Sequence, residues 1–163
     1  LLVEAARQRK AGKSAAETAA YIENIRLNVN MFGYTGSLEY LRRAGRVKAS
    51  SAFFGNLFGV KPILISDRQG NNYALKKVKG IVNTRNTVAQ MLREAMTEAS
   101  DTLYIAHADC PEEAEALKTV ILSQCSFEKV HMGVVGPIVG ASVGPGTVAA
   151  FILGKEVTVE GND

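Results

Sequence analysis

The sequence has no tryptophan, two cysteines and two histidines, and this scarcity excludes several kinds of site. Cys110 and Cys125 lie near opposite ends of one predicted helix, which separates them by roughly 22 Å at a rise of about 1.5 Å per residue. Such a distance excludes a disulfide between them, and free thiols are typical of the reducing cytosol. The free thiols therefore predict a cytoplasmic protein. His107 and His131 are unsuitably spaced for metal ligands, so we expect no zinc, and we expect no other cofactor.

A strong excess of charge is also absent. The net charge is +3, and aromatic residues do not interleave with the basic ones, so we expect no binding to nucleic acid. The 163 residues, 47% of them hydrophobic and 21% charged, predict one globular domain. The first ten residues, LLVEAARQRK, carry charges where a secretory signal has its apolar core, and they begin as a helix without a cap. We therefore expect the second part of a longer protein.

The spacing of apolar residues predicts an α/β fold in which helices flank a mixed β-sheet. Ser14 and Glu17 form a capping box for the second helix, after a first helix that ends at residues 9–12. Further helices are predicted over 37–45, 50–59 and 84–99, and after a cap at Asp109 or Cys110. Strands are predicted over 29–35, 61–66, 73–78 and the segment LYIAHA, and residues 127–159 are expected to form a strand, a glycine-rich turn and a strand.

Residues 132–154 contain no charged residue, but they contain six glycines and two prolines. That length can span a bilayer, yet the prolines, the loose alternation and the missing aromatic belt argue against a membrane span. A glycine turn can also hold a phosphate with its backbone amides, although the lysine and the spacing of known phosphate-binding loops are lacking. A β-turn or bulge that needs glycine at positive φ explains the spacing alone. The spacing therefore favours a turn and leaves a phosphate site open.

The residue types of an active site do not come together in the sequence. There is no nucleophile with a base and an orienting group at a typical spacing, and no such pair of carboxylates. We therefore expect a non-catalytic protein whose chemistry belongs to a partner.

Two separate segments, in the right order, resemble the DegV family. The segment GPIVGASVGPGTVAAF resembles the family signature G-P-x-I-G-A-H-x-G-P-G, with matches at Gly136, Pro137, Gly140, Ala141, Gly144, Pro145 and Gly146. The segment TGSLEYLRRAGRV is similar to T-L-x-Y-L-x-x-G-G-R-I, apart from Ala44 where the family often has glycine. The segment FFGNLFGVKPILISDRQG is similar to the short helix and L-x-I-K-P-I-L that follow. The resemblance runs from about residue 3 to about residue 158.

This resemblance implies a two-domain α/β protein that binds a long-chain fatty acid such as palmitate, stearate or oleate. It also implies that the carboxylate is presented to the kinase subunit of a fatty acid kinase, or to a fused kinase-like domain. Residues 1–163 would form the second, larger domain, and the N-terminal domain would be missing from this chain. One departure concerns the head group, because Ser142 stands where the family has histidine. A serine hydroxyl can donate one hydrogen bond but carries no charge.

We expect the head group at the glycine-rich turn, where Gly144 and Gly146 would leave amides unpaired and Ser142 and Thr147 would supply hydroxyls. The tail would supply most of the affinity, since about sixteen carbons at roughly 0.8 kcal/mol per methylene give on the order of 12 kcal/mol before costs. The expected acyl pocket is lined by apolar side chains that ordinary core packing would also explain: Ala5, Ala6, Leu38, Leu41, Phe54, Leu57, Phe58, Ile63 and Ile65.

Two clusters of basic residues are candidate docking surfaces, although a solvated surface would explain either. They are Arg42, Arg43, Arg46 and Lys48, and Lys76, Lys77, Lys79 and Arg85. The first is the predicted docking site for an acidic partner such as the kinase subunit. Two other functions stay open: an enzyme domain that binds a phosphorylated small molecule at Gly144 to Thr147, and a regulatory domain that has lost its ligand.

Overall fold

The computed structural model describes residues 1–46 and 59–161. Its strands are β1 (Val29–Tyr34), β2 (Val60–Ser66), β3 (Asn72–Lys79), β4 (Thr102–Ala108), β5 (Lys129–Val134) and β6 (Thr147–Leu153). Its helices are α1 (Leu2–Lys10), α2 (Ala15–Ile25), α3 (Glu39–Arg43), α4 (Ile81–Ala95), α5 (Pro111–Leu122) and α6 (Pro137–Val143). None of the helices in these described ranges is long and apolar enough to cross a membrane.

The six strands form one mixed sheet in the order β3-β2-β1-β6-β4-β5. Strands β4 and β5 are parallel and are connected through α5, whereas the other neighbouring pairs are antiparallel. The last strand, β6, lies between β1 and β4 and so joins the two halves of the chain. The lysines of the second basic cluster lie on the edge strand β3, where charge opposes pairing with another sheet.

One side of the sheet, here called the packed face, carries the main core. Alternate residues of β1, β2, β4 and β6 point towards α4 and α5. Leu92 of α4 and Leu117 of α5 are completely buried there, as is Ile63 of β2. The strand side chains of this core are Phe32, Tyr34, Ile63, Ile65, Leu103, Ile105, Val148, Ala150 and Ile152. This solid layer of branched and aromatic side chains holds the sheet together.

The opposite side of the sheet, here called the cavity face, has a much smaller core. Its buried members are Met31, Leu38, Leu41, Leu64 and Ala74. Leu38 and Leu41 come from the start of α3 and face inward as the sequence predicts, while Arg42 and Arg43 are exposed. Helix α6 packs beside α3, and its Val143 contacts this small core. This part of the cavity face is therefore covered by two short helices, α3 with five residues and α6 with seven.

The first two helices, α1 and α2, contact each other at the amino end of the chain. The sequence predicts both of them. Helix α1 ends at Lys10, and Gly12 then adopts a positive φ of 81°. The capping box of α2 is present, because the Ser14 hydroxyl accepts from Glu17 N and the Glu17 carboxylate accepts from Ser14 N. Arg7 ties α1 to the sheet through Thr102 Oγ1 at 3.1 Å and Asp101 at 3.2 Å.

Helix α4 differs from the predicted range of 84–99 at both ends. It begins at Ile81, because Gly80 adopts a positive φ and Thr84 Oγ1 donates to the Gly80 carbonyl at 2.8 Å. It ends at Ala95, because Met96 is extended and the Ala95 carbonyl accepts from Lys155 N at 2.8 Å. The long-range contact with residue 155 ends the helix, and the local pattern gave no sign of it.

The largest error concerns the glycine-rich run, for which the sequence predicts a strand, a turn and a strand. Residues 137–143 form helix α6, and β5 and β6 are not neighbours because β4 lies between them. The helix has local causes: Pro137 takes its first position, and Gly144 ends it with a φ of 78°. The two predicted strands are present as β5 and β6, but a helix stands where the turn was predicted.

Candidate functional site

An apolar cavity of about 160 Å³ lies on the cavity face beneath α6. Its floor is formed by Gly33 of β1, Ala149 of β6 and Ala106 of β4, and its roof by Val139 and Val143 of α6. The side towards β2 and α3 is closed by buried leucines, and the full lining is Met31, Gly33, Leu41, Leu64, Ser66, Asn72, Ala106, Val135, Val139, Val143, Thr147, Val148, Ala149 and Phe151. The site is thus a slot between a sheet and a short helix.

The slot exists because small residues stand side by side on adjacent strands. Gly33 pairs with Ala149, Ala149 pairs with Ala106, and Ala106 pairs with Gly133 of β5. A side chain larger than hydrogen would not fit at Gly33, because its Cβ would lie 2.7 Å from the Val148 carbonyl oxygen. The next row on the same face is bulky and runs through Met31, Phe151 and Tyr104. The small row is therefore a trough bounded by a wall of large side chains.

The roof helix is fixed where α6 meets α3. Gly144 is buried, and a Cβ on it would lie 2.3 Å from Cδ2 of Tyr40. Only glycine combines this contact with the positive φ that ends α6. The close contact between Gly144 and Tyr40 therefore fixes the position of α6 against α3. The sequence pattern did not distinguish this structural role of Gly144 from ligand binding.

The predicted head-group residues lie at the end of α6, in the turn that follows it and at the start of β6, and most of their donors are already used. The Gly144 amide donates to the Gly140 carbonyl at 2.9 Å, and the Gly146 amide donates to the Ala108 carbonyl at 2.8 Å. The Ser142 hydroxyl donates to the Ile138 carbonyl at 3.1 Å, within its own helix. The expectation that glycine leaves these two amides unpaired is therefore wrong.

Thr147 differs from the other three because its side chain lines the slot. Its hydroxyl lies 2.9 Å from the Thr35 hydroxyl and 2.9 Å from the Val143 carbonyl. The Thr35 hydroxyl donates to the Ser37 carbonyl at 3.0 Å and accepts from Ser37 N at 3.2 Å. Because Thr35 already makes these bonds, Thr147 is the polar group of the pair that a ligand in the slot could reach.

The residues predicted for the acyl pocket fall into several different places. Leu41 lines the slot, and Leu38 is buried beside it in the small core. Ile63 and Ile65 are buried in the main core of the packed face and line neither the slot nor the other described cavities. Ala5 and Ala6 line a separate groove of about 760 Å³ between α1 and α2. Phe54, Leu57 and Phe58 lie outside the described residues, as does all but the last residue of the predicted helix over 50–59.

The predicted docking cluster is partly neutralised within its own helix. Arg42 and Arg43 both pair with Glu39, each at 2.9 Å, and Arg46 is exposed after the end of α3. Hydrogen bonds from the two arginines lower the pKa of Glu39. Lys48 lies outside the described residues. Two of the four predicted docking cations are thus already paired within their own helix.

A polar network lies where β1, α4 and α5 meet, and the sequence analysis did not predict it. The buried Tyr34 hydroxyl donates to Glu113 Oε1 at 2.5 Å, and Arg85 Nε donates to the same oxygen at 2.9 Å. A second bond joins the Arg85 guanidinium to Glu113 Oε2. Burial raises the pKa of Tyr34, and its bond to Glu113 raises it further. Burial opposes ionisation of Glu113, but its bonds from Arg85 and Tyr34 outweigh this and lower its pKa.

The start of α5 has a conformation of its own. Cys110 occupies the N-cap position without a side-chain cap bond, and Asp109 before it has a φ of 51°. Both cysteines are free, as predicted, and burial raises the pKa of the Cys110 and Cys125 thiols. Within residues 1–46 and 59–161, no three His, Cys, Asp or Glu side chains cluster as a metal site requires. The expected absence of a cofactor remains a prediction.

Most of the slot lining was missed by the sequence analysis. Gly33, Ala106 and Ala149 are distant in sequence and meet only through the register of three strands. No signal in a single strand could reveal that row. Val139 and Val143, by contrast, are spaced by four residues after a proline, which is a pattern typical of the first turns of a helix. That signal was present in the glycine-rich run.

Comparison with known proteins identifies the family. A family model described as "Uncharacterised protein, DegV family" matches residues 1–155. The chain belongs to the DegV family. A DegV domain-containing protein from Clostridium perfringens is 30% identical over 155 residues, which cover 94% of this chain and 53% of that protein. The predicted family is therefore confirmed.

Solved DegV structures share the fold. A fatty acid binding DegV family protein from Streptococcus agalactiae superposes with a TM-score of 0.82 at 22% identity, over 94% of this chain and 54% of that one. A DegV family protein from Eubacterium eligens, solved with heptadecanoic acid, has a TM-score of 0.83 at 20% identity, over 94% and 55%. These similarities confirm the predicted α/β fold with a mixed sheet. The chain spans about half the length of these relatives.

Proposed function

We propose that this chain binds a long-chain fatty acid, with the acyl chain in the slot beneath α6. The observation that supports this most directly is the slot itself, an apolar cavity with a floor of glycine and alanine in a domain of the DegV family. The related structures named above are described as fatty acid binding or as loaded with heptadecanoic acid. An apolar tail gains roughly 0.8 kcal/mol for each methylene that it removes from water, so a dry slot favours such a ligand.

The carboxylate would lie at the end of the slot marked by Thr147. A carboxylate loses its water on entering a protein, and this is costly unless donors replace that water. The Thr147 hydroxyl has one proton, which would turn from the Val143 carbonyl and the Thr35 hydroxyl towards such a ligand. Ser142 would contribute only after releasing the Ile138 carbonyl. We therefore assign Thr147 as the first head-group contact and Ser142, Gly144 and Gly146 as its surroundings.

The DegV resemblance further supports the proposal that a separate fatty acid kinase acts on the bound acid. The chain would then hold and present the carboxylate, and the kinase would supply the chemistry. Of the first basic cluster, Arg46 is the described residue best suited to meet an acidic partner, because Arg42 and Arg43 already pair with Glu39. The alternative of a phosphate site at Gly144 to Thr147 is disfavoured, because the Gly144 and Gly146 amides both donate to carbonyl groups of the protein.

The proposal is tested by filling the slot. Ala106→Leu places a larger apolar side chain on the slot floor, in a position that is only partly buried. The protein in its full natural length is stripped of lipid, and the binding of palmitate is measured by isothermal titration calorimetry. We expect at least a tenfold loss of affinity, since about two displaced methylenes already correspond to about 1.6 kcal/mol.

The matched control is Ala20→Leu, the same change at an exposed position of α2 that lines none of the described cavities. It should leave palmitate affinity unchanged, and circular dichroism should show both variants folded. Equal palmitate binding by the wild type and a folded Ala106→Leu variant would contradict the placement of the tail. Co-purification of a sugar phosphate or nucleotide instead of a fatty acid would contradict the function itself.

A further inference from the structure

A second apolar cavity lies next to the slot on the same face of the sheet. Its volume is about 480 Å³, and it is lined by Leu1, Leu2, Val3 and Glu4 of the first helix and by Val29, Tyr104, Phe151, Ile152 and Leu153 of the sheet. Among the described residues, Phe151 is the one that lines both this cavity and the slot, and every other lining residue belongs to one of the two. The aromatic ring of Phe151 is therefore the partition between two apolar spaces.

The side chains that β6 presents on the cavity face change along the strand from polar to small to large. Alternate residues of a strand point to the same side, so Thr147, Ala149 and Phe151 follow one another on this face. Thr147 supplies a hydroxyl, Ala149 supplies the open floor, and Phe151 ends the slot. At roughly 3.4 Å per residue, Phe151 lies about 14 Å from Thr147 along the strand.

The partition is reinforced from both sides by neighbouring strands. Met31 of β1 and Tyr104 of β4 are the direct register partners of Phe151. Tyr104 also stacks on His131 of β5, with ring centroids 5.3 Å apart. Met31 borders the slot and Tyr104 borders the second cavity. The wall across the sheet is thus continuous, and the Phe151 ring is the part of it that separates the two spaces.

We propose that Phe151 sets the length of the acyl chain that this protein accepts. The inference rests on the proposed fatty acid function and adds a specificity residue to it. A tail that starts at Thr147 runs over Ala149 and stops at the Phe151 ring. Methylenes beyond that point find no apolar surface in the slot, although the second cavity lies directly behind the ring. Removal of the ring joins the two spaces and lets longer tails continue.

The test measures affinity as a function of chain length in the delipidated protein of full natural length. Straight-chain saturated acids from about ten to about twenty carbons are titrated by calorimetry. Each methylene that enters the slot should raise the affinity about fourfold, and the rise should stop at the wild-type limit. In Phe151→Ala the fourfold rise should continue past that limit, and Phe151→Leu should give an intermediate limit.

The matched control is Phe127→Ala, the same substitution at a partly buried phenylalanine that packs against the core of the packed face. It should lower thermal stability without moving the chain-length limit. An unchanged limit in Phe151→Leu and Phe151→Ala, with fatty acids still bound, would overturn the role of Phe151 and leave the proposed function intact. If the wild type binds no acid of any length, the proposed function falls and this inference falls with it.

Discussion

The two faces of the sheet are formed by the same six strands but differ in the side chains that they present and in the helices that cover them. The packed face presents branched and aromatic side chains to two helices of fifteen and twelve residues, and these side chains form the main buried core. The cavity face presents glycine and alanine to two helices of five and seven residues, and it leaves a slot. The same strand therefore carries stability on one set of alternate residues and a binding site on the other.

This division shows how a small domain can keep an empty space without unfolding. A cavity lowers stability because the atoms around it lose packing partners. Here the packing loss falls on the cavity face, which holds few of the fully buried side chains. Leu92, Leu103 and Leu117 are completely buried on the packed face. The packed face can thus support the sheet whether or not the slot is filled.

The largest expected effect tests this division directly. Leu117→Ala on the packed face should lower the free energy of unfolding by about 3 to 4 kcal/mol, because it leaves a void in a closed layer. Leu64→Ala, the same change at a buried position beside the slot, should lower it by about 1 to 2 kcal/mol, because the side chain already borders empty space. Both values come from urea unfolding of the delipidated protein. Equal losses would show that the two faces contribute alike.

Sequence reasoning was sufficient for the fold because its signals are local. The capping box at Ser14 and the apolar face of α4 each follow from residues a few positions apart. The motifs around Tyr40 and Gly144 identified the family. The end of α4 was misplaced because the partner of the Ala95 carbonyl is Lys155, which is distant in sequence.

The site was harder to predict than the fold, because register decides it. The slot requires Gly33, Ala149 and Ala106 to lie side by side, and pairing between distant strands is not visible in their separate sequences. Ile63 was assigned to the pocket from its hydrophobicity, but the parity of β2 places it on the packed face. The family resemblance therefore predicted an apolar pocket, and the order and register of the strands decide which residues line the slot.

A smaller effect is expected where the roof of the slot is anchored. Gly144→Ala should lower stability by about 2 kcal/mol, because alanine is strained at positive φ and its Cβ meets the Tyr40 ring. Gly146 is a matched control, since its φ is 77° and a Cβ there would have no neighbour within 4 Å. Gly146→Ala should therefore cost only about 1 kcal/mol, the backbone part alone.

The same pair separates packing from ligand contact. Stability is measured by urea unfolding, and palmitate affinity is measured in parallel. If displacement of the roof matters, Gly144→Ala lowers both quantities and Gly146→Ala lowers stability alone. Identical losses of stability in the two variants would show that the Tyr40 contact with Gly144 contributes nothing to the cavity face.

The smallest expected effect concerns the polar exception on the packed face. Glu113 accepts hydrogen bonds from Tyr34 and Arg85, and these lower its pKa below the ordinary value of 4.5 although burial opposes them. A carboxyl whose pKa is depressed by folding stabilises the fold above its unfolded pKa and loses that contribution as the pH falls through the folded value. Glu113→Gln should therefore destabilise the protein by about 1 to 2 kcal/mol at pH 7. As the pH falls below 4.5 and through the lowered pKa of Glu113, the difference from the wild type should narrow, since Glu113 then becomes protonated in the wild type as well.

Glu39→Gln is the matched control on the other face, because Glu39 also pairs with two basic groups but its side chain is 41% exposed, against 23% for Glu113. Salt screens exposed ion pairs far more than partly buried ones. In about 1 M sodium chloride the effect of Glu39→Gln should disappear, whereas that of Glu113→Gln should persist. If salt reduced the effects of both substitutions equally, the Glu113 network would be as accessible to solvent as the α3 ion pairs. The packed face would then be open to water at the end of β1.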